Sequence, residues 1–228
     1  MPSKNTGPIK KVKVWDLPLR LFHWLLLIAV AAAFITIWAK SERNLHMISG
    51  YIVLALLVFR LIWGFIGGYH ARFFNFVKGP SGVLSYLGTL RSGMHDPTRT
   101  GHNALGALSV LALLLSLLFQ AVSGLFNHDD DLNEGPLRKF VSDNLADKIH
   151  DAHAINQWII LGLIALHVAA ILFYRFVKKD DLITPMITGS KGLPADASTK
   201  DAPGGNVLLG AIVLAVAAGI VWYVVTKL

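Results

Sequence analysis

His153-Ala154-Ile155-Asn156-Gln157-Trp158-Ile159-Ile160-Leu161-Gly162-Leu163-Ile164-Ala165-Leu166-His167 is the stretch on which the fold turns. Apart from Asn156, Gln157 and the two end imidazoles, it is apolar. In an α-helix, fourteen residues at about 100° each fall about 40° short of four turns and rise about 21 Å. The two imidazoles therefore leave nearly the same face at two depths. The surrounding run, Asn156–Val177, is long enough to cross a bilayer, which takes about 20 mostly apolar residues. Four further runs qualify: Leu19–Ala39, His46–Gly67, Gly101–Phe126 and Asn206–Thr226. Continuous apolar runs without alternation fit spanning helices and not barrel strands. The expected fold is an all-α integral membrane protein with five transmembrane helices, the fifth at the C-terminus.

Composition agrees. Of 228 residues, 54% are hydrophobic and 15% charged, whereas a soluble domain is about a quarter charged. There is no Cys, and there are nine His. Disulfides, Cys-ligated zinc, iron–sulfur clusters and covalently attached c-type haem are thereby excluded from this chain. Histidine is the one common metal or haem ligand left.

Basic residues set an orientation. Lys4, Lys10, Lys11, Lys13 and Arg20 lie at the N-terminus, Arg72, Lys78, Arg91 and Arg99 in the second loop, and Arg175, Lys178, Lys179, Lys191 and Lys200 in the fourth. The opposite side has only Lys40, Arg43, Arg138, Lys139, Lys148 and Lys227. The positive-inside rule puts the N-terminus in the cytoplasm. The net charge of +7 is then topology, and no basic-aromatic patch suggests nucleic acid. The first span is expected to be a retained helix, because its long apolar run contains Arg20, His23 and Trp24. The third loop, Asn127 to Ile149, carries Asp129, Asp130, Asp131, Glu134, Asp143 and Asp147. It is either a docking surface for a basic partner or a solvated loop. Thr188–Gly205 reads as a linker. The division is 1–18 as a cytoplasmic segment, 19–178 as the four-helix domain, 179–205 as a cytoplasmic linker and 206–228 as the fifth helix.

Ionisable groups inside a bilayer are costly and so are functional candidates. His23 lies near the cytoplasmic end of the first span, and His46 opens the second at the outer end. His153 opens the fourth at the outer end, and His167 lies deeper. Two depth-matched pairs follow, His23 with His167 and His46 with His153. Two haems, each held by two His from different helices, account for all four. Zinc fits poorly, because each depth offers two His where zinc wants three or four ligands. Arg60 follows His46 by fourteen residues and shares its face at the inner depth, where an inner haem propionate would supply the negative partner it needs. Gly50, one turn from His46, either admits a flat macrocycle or packs helices closely. His102 could meet an inner propionate or a quinone headgroup, or cap the third span. His150 is a candidate for a supporting or proton-path role. His70, His95 and His128 read as solvated loop residues.

These residues also carry a resemblance. Val14-Trp15-Asp16-Leu17-Pro18-Leu19-Arg20-Leu21-Phe22-His23-Trp24 resembles the start of the bacterial dihaem b-type cytochromes. That group covers the cytochrome b561 proteins and the membrane b subunit of nickel–iron hydrogenases. Further matches are His46-Met47-Ile48-Ser49-Gly50-Tyr51, Phe59-Arg60 with Trp63 and Gly67, and Gly101-His102-Asn103. Ile149-His150-Asp151-Ala152-His153 with His167, then Asp180-Asp181 and Met186-Ile187-Thr188-Gly189, complete the set. The resemblance spans residues 14 to about 190 and is specific as a set.

It implies a four-helix bundle holding two haem b groups, with His23, His46, His153 and His167 as ligands (metal and cofactor alike). It also implies electron exchange between membrane quinone and a partner on the outer face, in the bacterial inner membrane. That partner is a periplasmic c-type cytochrome or a hydrogenase. The alternative is a superoxide:quinone oxidoreductase that needs no protein partner. The fifth helix departs from relatives that end after the fourth. Its Ala211, Ala215 and Gly219 form a small-residue stripe suited to packing in this chain or in a homo-oligomer.

Overall fold

The computed structural model describes residues 8–39, 43–91, 98, 100–128 and 134–228. Lys4, Lys40, His95, Arg99, Asp129, Asp130 and Asp131 lie outside the described residues. In chain order the elements are β1 (Ile9–Lys13), α1 (Leu17–Trp38), α2 (Arg43–Ile66), α3 (Phe73–Phe76), α4 (Pro80–Arg91) and α5 (Ala104–Gly124). A 3₁₀ turn (Arg138–Phe140), α6 (Asp143–Phe176), α7 (Ile183–Thr188), β2 (Ser190–Pro194) and α8 (Val207–Lys227) follow. Five of these, α1, α2, α5, α6 and α8, are long and apolar enough to cross a membrane. Their outward faces carry Leu25, Ile28, Leu115, Ile159, Leu166 and Ile212, an apolar girdle that only lipid can solvate.

Helix α2 is central. It packs along α1, α5 and α8, while α6 packs along α5. Among the described residues, α6 makes no comparable contact with α1 or α2. A gap therefore runs between α6 and the α1–α2 pair, and it is the feature that positions the site. One core joins the spans through Phe22, Leu57, Trp63, Leu114, Ile160 and Ala217. Gly64 is needed in it, because a Cβ there would overlap the Phe73 ring. We expect Gly64→Ala to cost about 1–3 kcal/mol through overpacking. Thermal unfolding in detergent reads this out, and an unchanged midpoint would contradict it.

Several expectations from sequence are corrected. The fourth helix begins at Asp143, so His153 sits well inside it and does not open it. Residues 143–149 were expected as loop because they are polar. Polarity marks only where a helix leaves lipid, and Leu145, Ala146 and Lys148 are good helix formers. Asp143 and Asp147 thus belong to α6, paired with Arg138 and His128. The second loop contains α3 and α4, and Tyr86 of α4 hydrogen-bonds Tyr174 of α6 at 2.6 Å.

Residues 179–205 are ordered. β2 pairs antiparallel with β1, with Ile9 opposite Pro194 and Lys13 opposite Ser190, so a small ribbon accompanies the helices. Val12 and Leu193 are buried beneath it. Gly189, at φ 87°, closes α7 in the left-handed region that favours glycine. Its carbonyl accepts the main-chain N–H groups of Val14 and Trp15. The ribbon ties the N-terminal segment to 179–205, which the four spans between them allow, since an even number returns the chain to the same side.

The fifth helix packs on α2 and the start of α1 through Gly210, Val213, Ala217 and Val221. The expected stripe does not make this contact, since Ala211, Ala215 and Gly219 face outward. Gly210 is the close approach, where a Cβ would come within 2.7 Å of Pro18 Cγ.

Candidate functional site: two histidine pairs across the helix gap

The outer pair faces a cavity of about 310 Å³ lined by α1, α2, α5 and α6. His46 and His153 both line it, and they lie within electrostatic reach of each other. His46 Nδ1 donates to the Ala33 carbonyl at 2.9 Å. His153 Nδ1 lies 2.9 Å from Ser123 Oγ. Gly50 lines the same cavity, and a Cβ on it would meet nothing within 4 Å. Of its two expected roles, close helix packing is therefore absent, and the space beside it is open. At the cavity mouth, His150 Nδ1 lies 2.8 Å from Asn127 Oδ1, and His128 Nε2 lies 2.9 Å from Asp147 Oδ1. His128 was expected in solvent, but the N-terminal turns of α6 reach out to pair with it.

The inner pair lies at the ribbon end. His23 and His167 are within electrostatic reach of each other, and His102 is within reach of both and of Arg60. Arg60 is 2% exposed, with its guanidinium 4.6 Å from the Phe73 ring centroid. Among the described residues, the buried His23 Nδ1, Arg60 Nη1 and His102 Nδ1 have no hydrogen-bond partner. A buried, unpaired cation is costly unless an anion completes it. The His102 imidazole sits near Arg60 and near both histidines of the inner pair.

The capping role considered for His102 belongs to its neighbour. Asn103 Oδ1 accepts from the Gly106 amide at 2.7 Å and starts α5. His102 instead packs between Trp15 and Phe76, each ring 4.8 Å away. His70, expected in solvent, lies half-buried 5.7 Å from Trp15, and burial lowers its pKa.

Two features escaped sequence reasoning. Asp16 caps α1 through the Leu19 amide at 2.8 Å, and it also accepts from Trp63 Nε1 at 3.2 Å and the Gly68 amide at 3.1 Å. It joins α1, α2 and the second loop beneath the inner site. Its cap role was readable from Asp-Leu-Pro at a helix start, but its distant partners were not. The second feature is a polar chain between α5 and α6 formed by Ser116, Gln120, Ser123 and Asn156. Its signal was four polar residues inside spans, where hydrogen bonds join helices.

The donor set fits haem. Paired imidazoles from separated helices, an apolar cavity and an orphaned buried cation suit an iron macrocycle with anionic side chains. Among the described residues, no cluster of three or more His, Asp or Glu suits a bare metal ion.

Comparison with known proteins agrees. The profile of the family described as prokaryotic cytochrome b561 matches residues 14–189. Among similar proteins is the probable Ni/Fe-hydrogenase B-type cytochrome subunit of Rhizobium leguminosarum bv. viciae. It is 26% identical over 214 residues, covering 80% of this chain and 89% of its own length. The probable Ni/Fe-hydrogenase 1 B-type cytochrome subunit of Escherichia coli (strain K12) is 22% identical over 212 residues, covering 77% and 88%. The Azotobacter vinelandii counterpart is 22% identical over 213 residues, covering 78% and 87%. No solved structure matches the chain. With five apolar helices, haem-fitting histidines and a family match over most of its length, the chain belongs to the prokaryotic cytochrome b561 family, the multi-pass membrane b-type cytochromes of electron transport.

Proposed function

We propose that this protein binds two haem b groups, one between His23 and His167 and one between His46 and His153. It passes electrons between membrane quinone and a redox partner on the outer face. The observation that carries this reading is the gap: each histidine pair spans from α6 to a helix with which α6 makes no comparable contact, and a flat macrocycle held between the imidazoles accounts for that spacing. The haem supplies reversible one-electron chemistry, and ligation on both faces leaves no open position for oxygen. The chain supplies binding, orientation and a dry path. Apolar walls exclude water, Arg60 would balance an inner propionate, and His102 beside it would hydrogen-bond that propionate or a quinone headgroup.

The basic residues around the ribbon support a cytoplasmic N-terminus in the bacterial inner membrane. On that topology 1–18 and 179–205 are cytoplasmic, 19–178 is the dihaem domain, and 206–228 is an added membrane helix. The names of the similar proteins favour a nickel–iron hydrogenase as the outer partner, with a periplasmic c-type cytochrome second. The outward stripe on α8 offers a place for a second copy. Arg43 at the outer cavity supports the superoxide:quinone alternative, as a cation where an anion would enter.

Haem quantitation with a reduced-minus-oxidised spectrum tests the proposal. Two haem b per chain are expected, and fewer would refute the pairing. Reduction of the isolated chain by superoxide at near-diffusive rates would favour the alternative. Co-purification with a hydrogenase would favour the partner.

A further inference from the structure

Proton counting assigns a role to Ser123. Its hydroxyl lies 3.0 Å from the main-chain carbonyl of Gln120 and 2.9 Å from His153 Nδ1. A hydroxyl has one proton, and a carbonyl can only accept. With that proton directed at Gln120, the Ser123 oxygen accepts and His153 Nδ1 donates, which is the same tautomer that iron ligation through Nε2 requires. A proton on Nδ1 leaves Nε2 with the free lone pair.

The arrangement is braced on the other side. Gln120 Nε2 donates to the His153 carbonyl at 3.1 Å, and Asn156 Nδ2 donates to Gln120 Oε1 at 2.7 Å. Ser116 Oγ donates to Asn156 Oδ1 at 2.9 Å. Ser123 and Asn156 are buried, and hydrogen bonds in so apolar a setting hold their geometry strongly. The Ala33 carbonyl does the same for His46, since it too can only accept. The inner pair differs, because His23 Nδ1 is buried without a partner.

We propose that Ser123 is a positioning residue for the outer haem: it holds His153 as the Nδ1–H tautomer and presents Nε2 to the iron. This rests on the bis-histidine reading above. A ligating imidazole whose other N–H donates a hydrogen bond is more basic. A more basic axial ligand favours ferric iron, so Ser123 lowers the outer potential. The two haems are tuned apart by their surroundings, although both have two imidazole ligands.

The test uses the full chain purified with its haems, by optical redox titration and by electron paramagnetic resonance of the oxidised form. In Ser123→Ala, one of the two midpoint potentials should move positive and the other stay, with only one haem signal changed. Outer-site haem affinity should fall about 10-fold. Ser123→Val should behave like Ala, whereas Ser123→Thr, equal in size to Val but keeping the hydroxyl, should restore both readouts. Unchanged potentials, a negative shift, equal shifts of both haems, or Thr behaving like Val would each overturn the role. If Ala loses the outer haem altogether, the Val and Thr pair decides. Retention by Thr alone supports the role, and loss in both overturns it. Failure of the underlying reading is separate: wild type with fewer than two haems, or His153→Ala retaining both, would show that His153 is no ligand.

Discussion

His167→Ala should lower haem b from two to about one per chain, removing the inner group and sparing the outer, because a bis-imidazole site that loses one ligand loses half its iron bonds from protein. Helix α6 keeps the two sites apart. It is one continuous helix from Asp143 to Phe176, so His153 and His167 stand about 21 Å apart along a single rod. Loss of one need not disturb the other. His153 is held by Ser123 and Gln120 on α5, at the opposite end from His167. His23→Ala should give the same result. His153→Ala should give the mirror image, with the outer group lost and the inner kept. Haem quantitation, together with the number of steps in a redox titration, reads all three. Two haems retained in both His23→Ala and His167→Ala would show the inner assignment to be wrong.

Asp16→Ala is expected to destabilise the protein by about 2–4 kcal/mol, without touching a proposed ligand. Loss of an N-cap costs about 1 kcal/mol. Leaving buried donors unpaired costs a further 1–3 kcal/mol or so, and here the indole of Trp63 and the amide of Gly68 both lose their acceptor. Trp63 is fully buried near the C-terminal end of α2. Asp16 is also within electrostatic reach of Arg60, so its removal deepens the isolation of that cation. Asp16→Asn should lie between Ala and wild type, since its one oxygen can still cap while its amide faces another donor. Thermal unfolding in detergent, followed by circular dichroism, measures the series. A loss within about 0.5 kcal/mol, as for an ordinary surface change, would mean that Asp16 is not the junction described.

Both predictions draw on features of different legibility. The two candidate histidine pairs were readable in sequence because bilayer depth is a one-dimensional quantity. A residue's place along a helix follows from its position in an apolar run, so depth-matched pairs can be found by counting. Arg60 was readable for the same reason, standing fourteen residues from His46. The cap by Asn103 in place of His102 was less so, since neighbouring residues compete for one job and backbone geometry chooses between them. The polar turns that carry α6 out to Asp143 were hidden because hydropathy reports where lipid ends, which is not where a helix ends.

What the sequence by itself determined, then, is what local composition controls: five spans, and which imidazoles fall at matching places along them. Tertiary structure alone decided which faces meet. It turned Gly210, Val213, Ala217 and Val221 of α8 inward and left Ala211, Ala215 and Gly219 outside. It paired β1 with β2 across most of the chain. It held α6 away from α1 and α2 to leave a gap between the histidines, and it set a serine of α5 against His153. The physical reason is that insertion depends on each segment's own transfer from water to lipid, summed residue by residue. The rotation of one helix against another depends instead on close packing and interhelical hydrogen bonds between residues far apart in the chain.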